Sequence, residues 1–213
     1  MSEVLTGNDK RKASCKAVGG EKKRTGHKRE DHFAERWCDV SSATTYKAEA
    51  DKTITDKPLL NRLSETLGPL KSGRTSIKSG NNLQFTLGVI PEITEADDKL
   101  AAISQQSLWE KYLAKSKSEN PADVLCYRSK TDWTFFRMSD VISFIVKNAK
   151  WRLLSSGRLK GDFVDKTAKA FSQYLTYEYR QTHKSHFLGA NGNKGMPFIQ
   201  LLKQNIKFHV EAD

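Results

Sequence analysis

The chain has 213 residues, enough for one domain with a core of its own and short for two full ones. Its 36 Lys and Arg against 25 Asp and Glu leave a formal charge of +11, so a polyanionic partner is the first expectation. At 37% hydrophobic residues it is not disordered throughout; no apolar run approaches the roughly 18 residues of a membrane span, and the start MSEVLTGNDKRK has no apolar signal segment. Cys15, Cys38 and Cys126 show no Cys-x-x-Cys spacing, which argues against a disulfide framework and fits a reducing cytoplasm.

The basic charge sits at two places. Residues 1–29 carry nine Lys and Arg against three acids, and residues 147–207 carry twelve against three, while residues 30–146 are nearly neutral. Residues 1–24, polar and Lys-rich with Gly19-Gly20, read as a flexible basic arm before a single domain over 25–213. The second basic stretch, 147–207, reads as a part that grips phosphates.

Along the chain, GHKREDHFAERWC (26–38) predicts a helix, with Phe33 and Trp37 at i, i+4 and with Glu30, Ala34 and Trp37 facing inward. A short strand is expected near 50–54. Leu59, Leu60, Leu63 and Leu67 predict a helix over 58–70, opened by Pro58 and ended by Gly68-Pro69. Turn residues at Ser79-Gly80-Asn81-Asn82 separate two extended runs in 71–93, read as a hairpin or as two successive strands. Residues 95–117 read as a helix. VLCYR (124–128) and WTFFRM (133–138) read as strands joined by a turn, and Ser139-Asp140 reads as the cap pair of a helix over 139–148. WRLLSSGRLKGDF reads as an extended pair, 165–174 as helix and LTYEYR (175–180) as strand. HKSHFLGANGNKGMPF reads as a Gly- and Asn-rich loop, and FIQLLKQNIKFHV as a closing helix or strand. The mixture is α/β or α+β.

No Walker or Gly-x-Gly-x-x-Gly segment is present, so a nucleotide cofactor is not expected, and no Gly-x-Ser-x-Gly marks a serine nucleophile. The pattern with the most chemistry is that of metal-dependent phosphodiester cleavage. Such a site needs carboxylates to hold Mg²⁺ through oxygen and a Lys to position the attacking water or to stabilise charge. Asp51, in KAEAD, is the candidate first carboxylate. Ser76 and Lys78, at i and i+2 on a strand, share one face, with Ile77 on the other. Glu30 on the first helix is a further acid. For DNA contacts the pool is Arg152, Arg158, Lys160, Arg180, Lys184, Asn191, Asn193 and Lys194.

Three segments, GHKREDHFA (26–34), KAEAD (47–51) and SIKSGNNLQFTLG (76–88), resemble type II restriction endonucleases of the PD-(D/E)xK superfamily. Gly26-x-x-x-Glu30-x-x-Phe33 matches the opening helix of many members. Lys78-Ser79-Gly80 with the later Gln84 matches the segment after the catalytic Lys in some. The likeness spans most of 26–202 and is sharp over the first two-fifths of the chain. It implies a mixed central sheet flanked by helices, with Asp51, Ser76, Lys78 and Gln84 at one edge of a cleft and Glu30 contributed by the helix. It further implies catalytic roles for Asp51, Lys78, Ser76, Glu30 and Gln84, metal binding by Asp51 and Glu30, Mg²⁺ as cofactor, double-stranded DNA as substrate, a homodimer, and a prokaryotic cytoplasmic setting. Ser76 stands where the family has Asp or Glu, and no Pro precedes Asp51. Two other functions fit the same residues: a sequence-specific DNA-binding protein with a degenerate nuclease site, and a basic RNA-binding protein.

Overall fold

The computed structural model describes residues 28–39, 52–81, 83–88, 122–153, 159–164, 170–180, 185–190 and 194–213. The expected basic arm and the helix expected over 95–117 lie outside them. The described fold is mixed α+β: four helices and two five-stranded sheets.

The first sheet runs β1 (Lys52–Thr53), β2 (Arg74–Ser79), β4 (Val124–Arg128), β5 (Asp132–Arg137), β10 (His209–Ala212) in spatial order. All its pairs are antiparallel except β2 with β4, which is parallel, so the sheet is mixed. β4 lies in the middle, and Val124, Leu125, Cys126 and Tyr127 are all buried, the near-continuous apolar run of a strand covered on both faces. Its turn to β5 is closed by the Ser129 hydroxyl, which accepts from the amides of Thr131 at 3.1 Å and Asp132 at 3.0 Å. The second sheet, antiparallel throughout, runs β3 (Leu83–Gly88), β9 (Ser185–Ala190), β8 (Ala170–Arg180), β7 (Leu159–Val164), β6 (Ala149–Leu153).

Of the two readings of 71–93, successive strands is the one found: β2 pairs with β1 and β4, and β3 pairs with β9 of the other sheet. Three expectations are corrected. Residues 170–174 belong to strand β8 rather than to a helix. The Gly- and Asn-rich stretch contains strand β9 and opens helix α4 (Gly195–Asn205). Helix α3 (Met138–Asn148) has Arg137 at its N-cap with no side-chain cap bond; Asp140, in its first turn, accepts from Arg137 Nη2 at 2.7 Å instead.

Two helices cover one face of the first sheet. Helix α1 (28–37) presents Phe33 and Trp37, one turn apart, to Trp133 and Phe135 of β5. The Phe33–Trp37 ring centroids stand 5.0 Å apart, edge to face. Glu30 and Ala34 are half-buried beside them. Helix α2 (Lys57–Leu67) is capped by Asp56, whose Oδ2 accepts from Leu59 N at 2.8 Å. It buries Leu59, Leu63 and Leu67, and Gly68 ends it at φ 88°. These residues form one cluster with Ile77, Val124 and Cys126. A second cluster on the opposite face joins Leu125, Tyr127 and Phe136 to α3, α4 and the second sheet, with Phe144 stacked on Phe163 at 5.5 Å. Among the described residues no helix is long and apolar enough to cross a membrane.

Candidate functional site

Strand β2 carries the residues with the strongest chemical signal. Ile77 belongs to the cluster under α1 and α2. Ser76 is in register with Leu125 and Lys78 with Tyr127, and both partners belong to the cluster on the other face. Ser76 and Lys78 therefore share a face, as their spacing predicts. Both faces are covered along most of the strand, and Ser76 is only 3% exposed. Lys78 and Ser79 are half-buried where the strand reaches the rim, and Gly80 is exposed. Gly80, at φ 74°, takes the left-handed conformation that turns the chain out of the first sheet toward the second.

Three other elements meet at that turn. Arg29 of α1 donates from Nη1 to Ser79 Oγ. Tyr127 of β4 donates its hydroxyl to the Gly80 carbonyl at 2.8 Å. The amide of Gly195, first residue of α4, donates to the Asn81 carbonyl at 2.8 Å. At Gly195 a Cβ would stand 2.7 Å from Asn81 C and 3.0 Å from Gly80 O, so only glycine allows the helix to come this close. Burial pushes the Tyr127 phenol above its ordinary range, an effect partly offset by the Arg29 charge, so the phenol keeps its proton and donates at neutral pH.

The expected residues divide between this turn and other parts of the fold. Lys78, Ser76 and Glu30 fall on elements that meet at or next to it. Glu30 lies on α1 beside Arg29, in the helix layer on the Ile77 side of the sheet. Asp51 lies outside the described residues; its chain neighbour Lys52 pairs with Thr75, the residue before Ser76. Gln84 is not on the sheet that holds Ser76 and Lys78: it is in β3 of the second sheet, in register with Gly189, because the chain changes sheets at Gly80. Arg152 and Lys160 are cross-strand neighbours on β6 and β7, and Arg180 ends β8 opposite Ser185. Lys194 is the N-cap of α4, next to the Gly195 contact. Arg158, Lys184, Asn191 and Asn193 lie outside the described residues. Arg29, Tyr127 and Gly195 were not singled out from sequence. Their signals are modest: an Arg one turn before a buried Phe, a lone polar-ended aromatic in an apolar strand, and a Gly at a helix start.

Among the described residues, no group of three or more His, Cys, Asp or Glu is placed to hold a metal. Glu30 is a hard oxygen donor of the kind Mg²⁺ takes, and it comes directly after the residue that reaches the end of the Lys78 strand. A hollow of about 570 Å³ lies elsewhere, lined by Thr66, Gln204, Asn205, Ile206, Lys207 and Phe208, and none of the expected site residues lines it.

No family model, no curated protein and no solved structure matches this chain.

Proposed function

We propose that the chain is a Mg²⁺-dependent, site-specific endonuclease of double-stranded DNA, of the type II restriction kind, with a fold of that class. The observation that carries this reading is the placement of Lys78. It sits at the rim end of a buried, parallel-paired strand, just before a turn where α1, β4 and α4 are all tied. A catalytic Lys needs such a rigid support with an open end.

In this reading Asp51 would hold Mg²⁺, with Glu30 reaching the same site past the strand end from the α1 side of the sheet, and the ion would polarise the phosphoryl oxygen when bound. Lys78 orients the attacking water and stabilises the charge that builds on the phosphate. Water adds to phosphorus, the bridging P–O bond breaks, and the departing oxygen takes a proton. Ser76 lies on the Lys78 face in place of a carboxylate, so metal binding falls to fewer charges. Gln84, on the second sheet, is an auxiliary group. Arg152, Lys160, Arg180 and Lys194, with Arg158, Lys184, Asn191 and Asn193, supply contacts to phosphates and bases. A homodimer would cut both strands of a palindrome, in a prokaryotic cytoplasm.

Ser76 also favours a second reading, a sequence-specific DNA-binding protein that does not cut, because it is only 3% exposed and not acidic. One experiment separates the two. Purified protein is incubated with a large unmethylated duplex DNA, with Mg²⁺ and with EDTA. Discrete fragments in Mg²⁺ alone support the nuclease; intact DNA that shifts on a gel supports the binding protein. A preference for RNA in the same gel assay contradicts both.

A further inference from the structure

We infer that Arg29 and Tyr127 are positioning residues for Lys78, holding the strand end that carries it from the two faces of the sheet. The inference rests on the nuclease reading above. Strand β2 runs out at Ser79, and the next residue, Gly80, is exposed, with nothing within 4 Å of where a Cβ would be. A strand end that stops at an exposed glycine has no side-chain packing of its own there and frays. Lys78 is the last residue but one of that strand. Its ammonium stands at the end of a four-carbon stem whose root moves with the backbone of the strand end, so an ordered strand end narrows the positions open to the charge.

Two hydrogen bonds oppose such fraying, on consecutive residues. Arg29 grips the Ser79 hydroxyl, and Tyr127 grips the Gly80 carbonyl. They come from opposite sides. Ile77 and, by alternation, Ser79 point to the α1 layer, while Tyr127 is in register with Lys78 on the other face. Both anchors are themselves held. Arg29 is one helical turn before Phe33, which is fully buried, and Tyr127 is 2% exposed in the central strand. Neither acts on the reacting atoms, so the loss of either lowers the rate of the chemical step and leaves DNA binding alone.

The test uses the full chain and single-turnover Mg²⁺-dependent cutting of duplex DNA at saturating protein. Tyr127→Phe keeps the buried ring and removes only the hydrogen bond, and Ser79→Ala removes only the acceptor of Arg29. Arg29→Ala and the double variant Arg29→Ala with Ser79→Ala complete a cycle. Each single variant is expected to cut about tenfold more slowly, the loss from one such bond at about 1.4 kcal/mol, with DNA affinity within about twofold of wild type. The double variant is expected to cut no more slowly than Arg29→Ala, because both changes break the same contact. Wild-type rates in Tyr127→Phe and Ser79→Ala overturn the inference and leave the nuclease reading standing. So does a strictly multiplicative double variant. An Arg29→Ala defect that appears as weaker binding with a shallower salt dependence makes Arg29 a phosphate contact instead, and overturns its positioning role. A wild-type protein that cuts no DNA removes the nuclease reading, and this inference with it.

Discussion

The parallel pair β2 and β4 has two ends, and they are built differently. At the N-terminal end the Asp123 carboxylate closes the structure. Its Oδ2 accepts from the amide of Ser72, the Ser72 hydroxyl at 3.0 Å and the amide of Gly73 at 3.1 Å. The Asp123 amide donates to Arg74 O at 2.8 Å, and its carbonyl accepts from Met138 N at 2.7 Å. At the C-terminal end the ties are of another kind. The strand leaves through Ser79 and Gly80, held by an Arg, a Tyr and a helix amide, with Lys78 at the rim. An acid spent on backbone amides is a structural acid. A strand end tied by a guanidinium, a phenol and an amide, and carrying a Lys, is where the proposed site would meet its phosphate. The carboxyl ends of parallel strands are also where ligands bind in open sheets.

Removing the structural acid gives the largest stability effect. Asp123→Ala is expected to cost about 2–3 kcal/mol and lower the melting temperature by roughly 5–10 °C, leaving turnover per folded molecule near wild type. A calorimetric scan with a single-turnover assay on the same sample checks both halves. Next is Gly195→Ala at the other end. The added Cβ has backbone atoms in its way, so a loss of about 1–3 kcal/mol is expected. Here cutting falls as well, because α4 pushes on the turn after Lys78; denaturant unfolding and cleavage rates read the two effects. Asp56→Ala removes the α2 cap, far in sequence from the turn after Lys78, and is expected to cost about 1 kcal/mol with cutting unchanged, checked the same way.

The smallest effect is electrostatic and lies at the edge strand β10. Burial raises the Glu211 carboxyl, but hydrogen bonds from Arg62 at 2.7 Å and from His209 at 2.7 Å outweigh it and hold it below its ordinary 4.5. A depressed carboxylate stabilises the fold above its unfolded value and loses that stabilisation as pH falls through the folded one. The melting temperature of wild type is therefore expected to drop below pH 4.5, and less steeply in Glu211→Gln. At Asp213 desolvation likewise raises the carboxyl, and the Trp133 indole with the charges of Arg128, His32 and Arg36 outweighs it and holds it below 3.8, which adds to the same acid sensitivity. On the nuclease reading, Glu211→Gln is expected to leave cutting at neutral pH unchanged.

Local pattern carried much of the fold. Leu59, Leu63 and Leu67 between Asp56-Pro58 and Gly68 define α2, and VLCYR and WTFFR with Ser129 between them define the β4–β5 hairpin. Both are short-range, and their turn chemistry is local. The parts that were not legible depend on distant partners. The parallel pairing of β2 with β4 joins segments separated by residues 80–123, and nothing in RTSIKS names VLCYR as its neighbour. Strand β9 hides in turn-forming residues: its Gly189 is buried in register with Gln84 of β3 and Thr176 of β8, partners that the local sequence does not name. AFSQY, the start of β8, has no decisive period. Of the candidate site, the shared face of Ser76 and Lys78 came from spacing alone. The separation of Gln84 into another sheet did not, because it depends on β3 pairing with β9, a strand about a hundred residues further along the chain.

The most direct test of Lys78 as the centre of the site is cleavage of unmethylated duplex DNA by wild type and by Lys78→Ala, with Mg²⁺ and with EDTA, alongside Asp123→Ala. Discrete Mg²⁺-dependent fragments are expected from wild type and from folded Asp123→Ala. Lys78→Ala is expected to lose at least about a hundredfold in rate while keeping its melting temperature and DNA binding. Fragments from Lys78→Ala at the wild-type rate, or no Mg²⁺-dependent cutting by wild type, would contradict the nuclease site.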